Sequence, residues 1–281
     1  MRNTITVMNA KGGVGKSTLV LALAETLATF HGKKILVIDA DAQASISHML
    51  VPARNLEALQ EEGQTIVDYL VATVLSESQE SWRKYVISGV SDVDDARSID
   101  LLPSDTNLTL LEREISRNQR ESQLRRTIAA FLLEARQTYD FVLIDSAPGL
   151  SVLTECLLRE ADFYISPTRP DYISTRGLRF LNKFRQRNPE MGFAELLGVI
   201  INMKDPQSPQ DADYEQWLRQ EPENRCFTRS IVRTSPLQAA AYFSASDRSY
   251  WAKYPGHVGE QLRSLADEVL QRITQGQVRA P

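Results

Sequence analysis

The chain has 281 residues, of which 42% are hydrophobic and 24% charged, and its formal net charge is −4. That apolar fraction is enough for a sizeable core and excludes disordered or collagen-like chains, while the mild acidity excludes a surface coated in positive charge. Two cysteines, Cys156 and Cys226, are too few for a disulfide framework or a four-thiolate metal site, and they fit a reducing cytosol.

Met1 to Asn9 alternates as a strand does and runs directly into a glycine-rich loop, which leaves no room for a signal peptide. No apolar stretch approaches the ~20 residues that a membrane-crossing helix needs. The expectation is a soluble, cytoplasmic protein. Short β-branched runs then recur at Ile5–Met8, Ile35–Ile38, Ile99–Leu102, Phe141–Ile144, Phe163–Ile165 and Val199–Ile201. Several are apolar without alternation, as strands covered on both faces are. Between them lie stretches of helical period, including Thr18–Phe30 and the stripe Leu124, Ile128, Phe131 and Leu132. Strand-helix alternation predicts βαβ units, and so an α/β fold with a mostly parallel twisted sheet flanked by helices. Three segments fit the rhythm poorly: 51–63, a polar loop or helix; 75–98, helix-like and then acidic at Asp92, Asp94 and Asp95; and 205–224, proline-rich around a short helix. They read as insertions on one domain spanning 1–281.

The strongest chemical signal is Lys11-Gly12-Gly13-Val14-Gly15-Lys16-Ser17-Thr18, between the first strand and the first helix. A phosphate cradle needs consecutive backbone N–H groups turned inward, which glycines permit, and a helix N-terminus aimed at the anion. Lys16 is placed to reach the β- and γ-phosphates, and the Ser17 hydroxyl to ligate Mg²⁺. Ala10 stands where the general G-x-x-x-x-G-K-[ST] pattern has its first glycine, and Lys11 adds a second lysine.

This loop resembles the deviant Walker A loop of the ParA/MinD family of ATPases. The resemblance implies a P-loop fold using ATP and Mg²⁺, with Lys11 crossing the interface of an ATP-dependent homodimer to touch the partner's nucleotide. Val37-Ile38-Asp39-Ala40-Asp41-Ala42-Gln43 resembles the family's D-x-D-P-Q segment, with Ala42 in place of proline. By that likeness Asp41 orients the attacking water and Asp39 sits near the Mg²⁺ shell. Phe141-Val142-Leu143-Ile144-Asp145 looks like the Walker B strand, with Asp145 beside Mg²⁺ through a water. Thr65–Leu70, Asp100–Ser104, Ala161–Pro167 and Gly177-Leu178 match further family segments, so the likeness spans roughly the whole chain. Asn202, at the end of Leu197–Ile201, is the implied adenine contact. Asn202-Met203-Lys204-Asp205 also invites the guanine reading N-K-x-D, but its lysine falls one place late.

In the family the ATP-bound dimer binds a surface, nonspecific nucleoid DNA or membrane, and a ParB-like or cargo-adaptor protein stimulates slow hydrolysis. DNA needs local basic charge, and Arg176, Arg179, Lys183, Arg185 and Arg187 cluster in one region, followed by Arg225, Arg229 and Arg233. Two departures redistribute such contacts: Pro236 replaces the second arginine of an I-P-R-x-V-R-L-like stretch, and Asp205-Pro206-Gln207-Ser208 lacks an arginine. A membrane-lying C-terminal helix is the alternative, but Leu262, Leu265, Val269, Leu270 and Ile273 read better as a last core helix before a short tail. The expected function is therefore a ParA-like ATPase that segregates or positions DNA or a large cargo, associated with the nucleoid. A MinD-like membrane-cycling regulator, or a metabolic or redox ATPase of the same fold such as the nitrogenase iron protein, remains the alternative. The chain begins at its first strand, so no N-terminal helix-turn-helix and no operator-specific repression are expected.

Overall fold

All of the β-branched runs become strands of one parallel sheet in the computed structural model, which describes residues 2–278. They are β1 (Thr4–Val7), β2 (Ile35–Ala40), β3 (Ile99–Leu102), β4 (Phe141–Ser146), β5 (Phe163–Thr168) and β6 (Glu195–Ile201), in the spatial order β3-β2-β4-β1-β5-β6. Helices connect them: α1 (Lys16–His31), α2 (Ser45–Leu50), α3 (Ala53–Glu61), α4 (Ile66–Leu70), α5 (Leu108–Arg117), α6 (Glu121–Thr138), α7 (Val152–Glu160) and α8 (Tyr172–Arg187). After β6 come α9 (Pro209–Gln220), α10 (Ser235–Ala239), α11 (Tyr250–Lys253) and α12 (His257–Val278).

Successive strand residues point to opposite faces, and both faces are covered. Ile5, Val7, Val37, Leu143 and Ile165 pack under α1 and α12, while Leu36, Ile38, Val142 and Ile144 pack against α4–α7. A third cluster joins Met8, Tyr164, Val199 and Ile201 to Leu178 and Leu181 of α8. This double covering explains the unbroken apolar strand runs.

Several boundaries differ from expectation. Met8 lies just beyond β1, although its N–H still donates to the Ile165 carbonyl at 3.0 Å. β6 begins at Glu195, because pairing with β5 resumes across an irregularity at Tyr164/Ile165. Segment 75–98 is not an α-helical insertion. It holds two 3₁₀ turns, Trp82–Tyr85 and Asp94–Ala96, and its rings enter the core, Trp82 packing 5.1 Å from Phe131. Aromatic anchoring replaces helical regularity there. Segment 51–63 forms α3 with only Leu56 buried, and 205–224 forms α9, capped by Ser208, with Leu218 buried.

The helix of the glycine loop, α1, is buried almost all round and, beyond Lys16 at its start, turns Glu25 into the core. Lys253 of α11 neutralises it at 2.7 Å and also reaches Asp92 at 2.6 Å. Tyr254 and Ser91 donate to Glu25 at 2.7 and 2.8 Å, and Arg248 pairs with Asp92 at 2.8 Å. Asp92, one of the acidic residues of segment 75–98, is thus a buried link. Leu262, Leu265, Val269 and Ile273 of α12 join the same core, and the tail expected after that helix, from 279 on, lies outside the described residues.

Candidate nucleotide site

The chain leaves β1 at the centre of the sheet and turns through residues 10–15 into α1. Gly13 at φ 72° and Gly15 at φ 85° take left-handed conformations that L side chains rarely adopt. A Cβ on Gly15 would also overlap the Asn202 amide. Among the described residues no side chain caps the N-terminus of α1, so its N–H groups and dipole are left for an anion. Lys11, Gly12 and Gly13 are exposed, Val14 is buried, and Ser17 and Thr18 are half-buried. Lys16 is 7% exposed; burial pushes its ammonium pKa down, and the charges of Asp145 and Asp41 pull it back up.

Parallel pairing places Asp39 of β2 directly opposite Asp145 of β4, whose other neighbour is Val7 at the end of β1. Asp39 is fully buried and engaged by the chain itself. Its carboxylate accepts from the Ser47 N–H and hydroxyl at 3.0 and 2.6 Å and from the Asp41 N–H at 3.1 Å. Burial lifts its pKa to about 7 against these hydrogen bonds. Asp145 is fully buried too, and neither of its oxygens has a hydrogen-bond partner among the described residues. Burial first, and then the neighbouring Asp39, push its pKa well above the usual carboxylate range; Ser17, which closes no well-formed bond to it, and Lys16 act the other way. An orphaned carboxylate beside a serine hydroxyl, under an anion-binding loop, fits a hydrated Mg²⁺ completed by phosphate oxygens. Asp41 is half-buried at the head of the turn into α2, and Oδ1 accepts from the Gln43 N–H at 2.9 Å.

A cleft of about 450 Å³, open solvent included, adjoins the loop between Thr18, Asn202, Met203, Arg233, Thr234 and Leu237. Asn202 donates to the Val14 carbonyl at 2.8 Å and so braces the loop from the cleft side. The cleft's outer wall forms because Lys204 pairs through its backbone with Ile231 and Arg233, both at 3.0 Å. Pro236 occupies the first turn of α10, where a missing N–H costs little, which gives it a structural reason to stand in place of arginine. The side chains that a guanine reading needs are held elsewhere: Lys204 pairs with Glu215 at 2.5 Å, and Asp205 accepts from the Gln207 N–H at 2.9 Å in the turn leading to α9.

The basic cluster divides. Arg185 turns inward, donating to the Tyr164 hydroxyl at 2.7 Å and the Ala194 carbonyl at 3.1 Å, and Arg225 pairs with Glu195 at 2.7 Å. Arg176, Arg179, Lys183 and Arg187 remain exposed on α8, as do Arg229 and Arg233. Cys156 and Cys226 belong to different clusters, and burial raises both thiols, Cys156 to about 12. No described helix is long and apolar enough to cross a membrane.

The family model described as an AAA domain matches residues 2–191. A ParA family protein of Chlamydia trachomatis is 30% identical, over 83% of this chain and 79% of that one. The chromosome partitioning protein ParA of Caulobacter vibrioides is 27% identical, over 98% and 97%. Among solved structures, pNOB8 ParA superposes with a TM-score of 0.76 at 20% identity, covering 98% of this chain and 100% of that one. The same ParA bound to nonspecific DNA gives 0.72 at 21%, covering 98% and 99%. Cobyrinic acid a,c-diamide synthase of Mycobacterium smegmatis, with an ATP analogue and magnesium, gives 0.70 at 22%, covering 98% and 97%.

Proposed function

The chain belongs to the ParA family of AAA domains, and from that premise we propose that it is an ATPase of 1–281 acting as one unit, which dimerises on ATP and hydrolyses it slowly to position DNA or another large cargo. The observation that carries this reading is the unpartnered, buried Asp145 carboxylate beside Lys16 and Ser17, under the uncapped start of α1.

In this reading the amides of Gly12 to Ser17 and the Lys16 ammonium hold the phosphates of ATP. Ser17 and Asp145 would hold the Mg²⁺ of the nucleotide, which would supply charge neutralisation at the transferring phosphoryl group. Asp39 holds the turn that carries Asp41, and Asp41 orients the attacking water. The adenine enters the cleft lined by Asn202 and Thr18. Lys11 reaches the nucleotide of the second subunit. Because α12 buries its apolar side in the core, a duplex DNA surface is favoured over a bilayer, with contacts through Arg176, Arg179, Lys183 and Arg187 and thereby nucleoid association. The exposed cations and the DNA-bound state of pNOB8 ParA support that partner. A ParB-like or cargo-adaptor protein stimulates turnover.

Calorimetry of magnesium-ATP against wild type and Lys16→Ala tests the core of the proposal. Saturable heat from the first and none from the second is expected; no heat from well-folded wild type overturns it.

A further inference from the structure

Lys11 is exposed, yet its backbone is held firmly. Its N–H donates to Asn9 Oδ1 at 2.9 Å, and Asn9 is fully buried. The Asn9 amide in turn donates to the Pro167 carbonyl at 2.8 Å and the Thr168 hydroxyl at 3.0 Å, at the end of β5. Its main-chain carbonyl accepts from the Gly149 N–H at 3.4 Å, in the turn after β4. One residue therefore ties the start of the phosphate loop to two neighbouring strand ends.

Gly177 meets the same point from α8. Glycine weakens a helix interior, so its presence there needs a reason. A Cβ at this position would stand 2.6 Å from Asn9 Oδ1, 3.2 Å from the Lys11 nitrogen and 3.3 Å from Lys11 Cβ. Any side chain would have to displace Asn9 or Lys11, and one of those contacts is backbone.

We propose that Asn9 and Gly177 are positioning residues for Lys11. Asn9 fixes the Lys11 N–H, and Gly177 gives the bare surface against which the Lys11 Cα–Cβ bond is set. A lysine stem has four flexible bonds, so anchoring its root lowers the entropy lost when the ammonium docks across an interface. The inference rests on the reading that Lys11 serves the second subunit's nucleotide. The cis phosphate grip, made by Lys16 and the amides further along the loop, does not depend on this contact.

The test compares wild type, Lys11→Ala, Gly177→Ala and Asn9→Ala by thermal melting, ATP calorimetry and sedimentation with magnesium-ATP. Gly177→Ala is expected to keep its melting temperature and to bind ATP within about twofold of wild type, while its ATP-driven self-association weakens at least about tenfold, as in Lys11→Ala. Asn9→Ala should likewise keep ATP affinity and lose self-association, at a lower melting temperature because its buried hydrogen-bond partners are stranded; if it does not fold, Gly177→Ser takes its place. A purely structural role would lower melting temperature and ATP affinity together, and that result overturns the proposal. So does normal self-association of Gly177→Ala when Lys11→Ala fails to associate. If wild type binds no ATP, or Lys11→Ala associates normally, the underlying reading is wrong and the inference falls with it.

Discussion

Two carboxyl groups facing each other on adjacent strands, Asp39 and Asp145, are both driven toward neutrality by burial, and only Asp39 is compensated by hydrogen bonds from its own chain. The asymmetry separates their duties. Asp145→Asn should fold at least as well as wild type, since it removes a buried acid whose ionisation burial and the facing Asp39 oppose. It should weaken magnesium-dependent ATP binding by roughly 10–100-fold, the scale for a group acting through a bound water, as calorimetry with and without Mg²⁺ would read. Asp41→Ala should bind ATP normally but lose phosphate release by roughly a hundredfold or more, checked by a coupled phosphate assay; full turnover would remove Asp41 from its role. Much of this site was legible in the chain because its demands are local: Gly13 and Gly15 sit where left-handed backbone is required, and Asp145 ends an apolar run. The engagement of Asp39 by Ser47, eight residues on, was not legible, because it depends on how α2 folds back over β2.

At the level of elements, α8 illustrates why a charge run cannot be read as a surface. Its arginines look equivalent in sequence, but helical geometry turns Arg185 onto Tyr164 and leaves Arg176, Arg179 and Lys183 outward. Changing Arg176 and Lys183 to glutamate should weaken binding to random duplex DNA with ATP and flatten its salt dependence, while Arg185→Gln should lower stability; fluorescence anisotropy across a salt series separates them. The α9 element carries a pH signature. Burial would lift Glu215, but hydrogen bonds from Lys204, Ser230 and Arg219, together with the Lys204 charge, bring it down to about 2. A depressed carboxyl stabilises above its ordinary pKa, near 4.5, and that contribution fades as pH falls from there toward 2. The stability gap between wild type and Glu215→Gln, from urea unfolding, should therefore be constant above about pH 5 and narrow below it. The cleft wall from Ile231 to Leu237 was visible in sequence only as a family-like stretch; its place beside Asn202 comes from backbone pairing with Lys204 across a long separation.

For the whole molecule, the alternation of strands and helices was enough to anticipate a parallel sheet, because double covering leaves apolar runs that are hard to mistake. The strand order and the Glu25–Lys253–Asp92 cluster were beyond reach, since residues 228 apart leave no local trace of their contact. Lys253→Met should lower stability by about 3–5 kcal/mol in chemical denaturation, because it strands buried carboxylates. Restoring neutrality with Glu25→Gln should recover part of that loss.

The same cluster bears on where this protein can be cut. The family match ends at residue 191, yet the helix that carries the phosphate loop has its inward charge satisfied by a lysine sixty-two positions further on, and its outer side roofed by α12. An excised 2–191 piece would hold the complete glycine motif and both aspartate strands, but it would lack β6, the lysine partner of Glu25 and the α12 roof over α1. The smallest autonomous nucleotide-binding piece must therefore extend at least through the Lys253 turn, and a truncation drawn at the motif boundary should yield aggregated chain rather than a miniature enzyme.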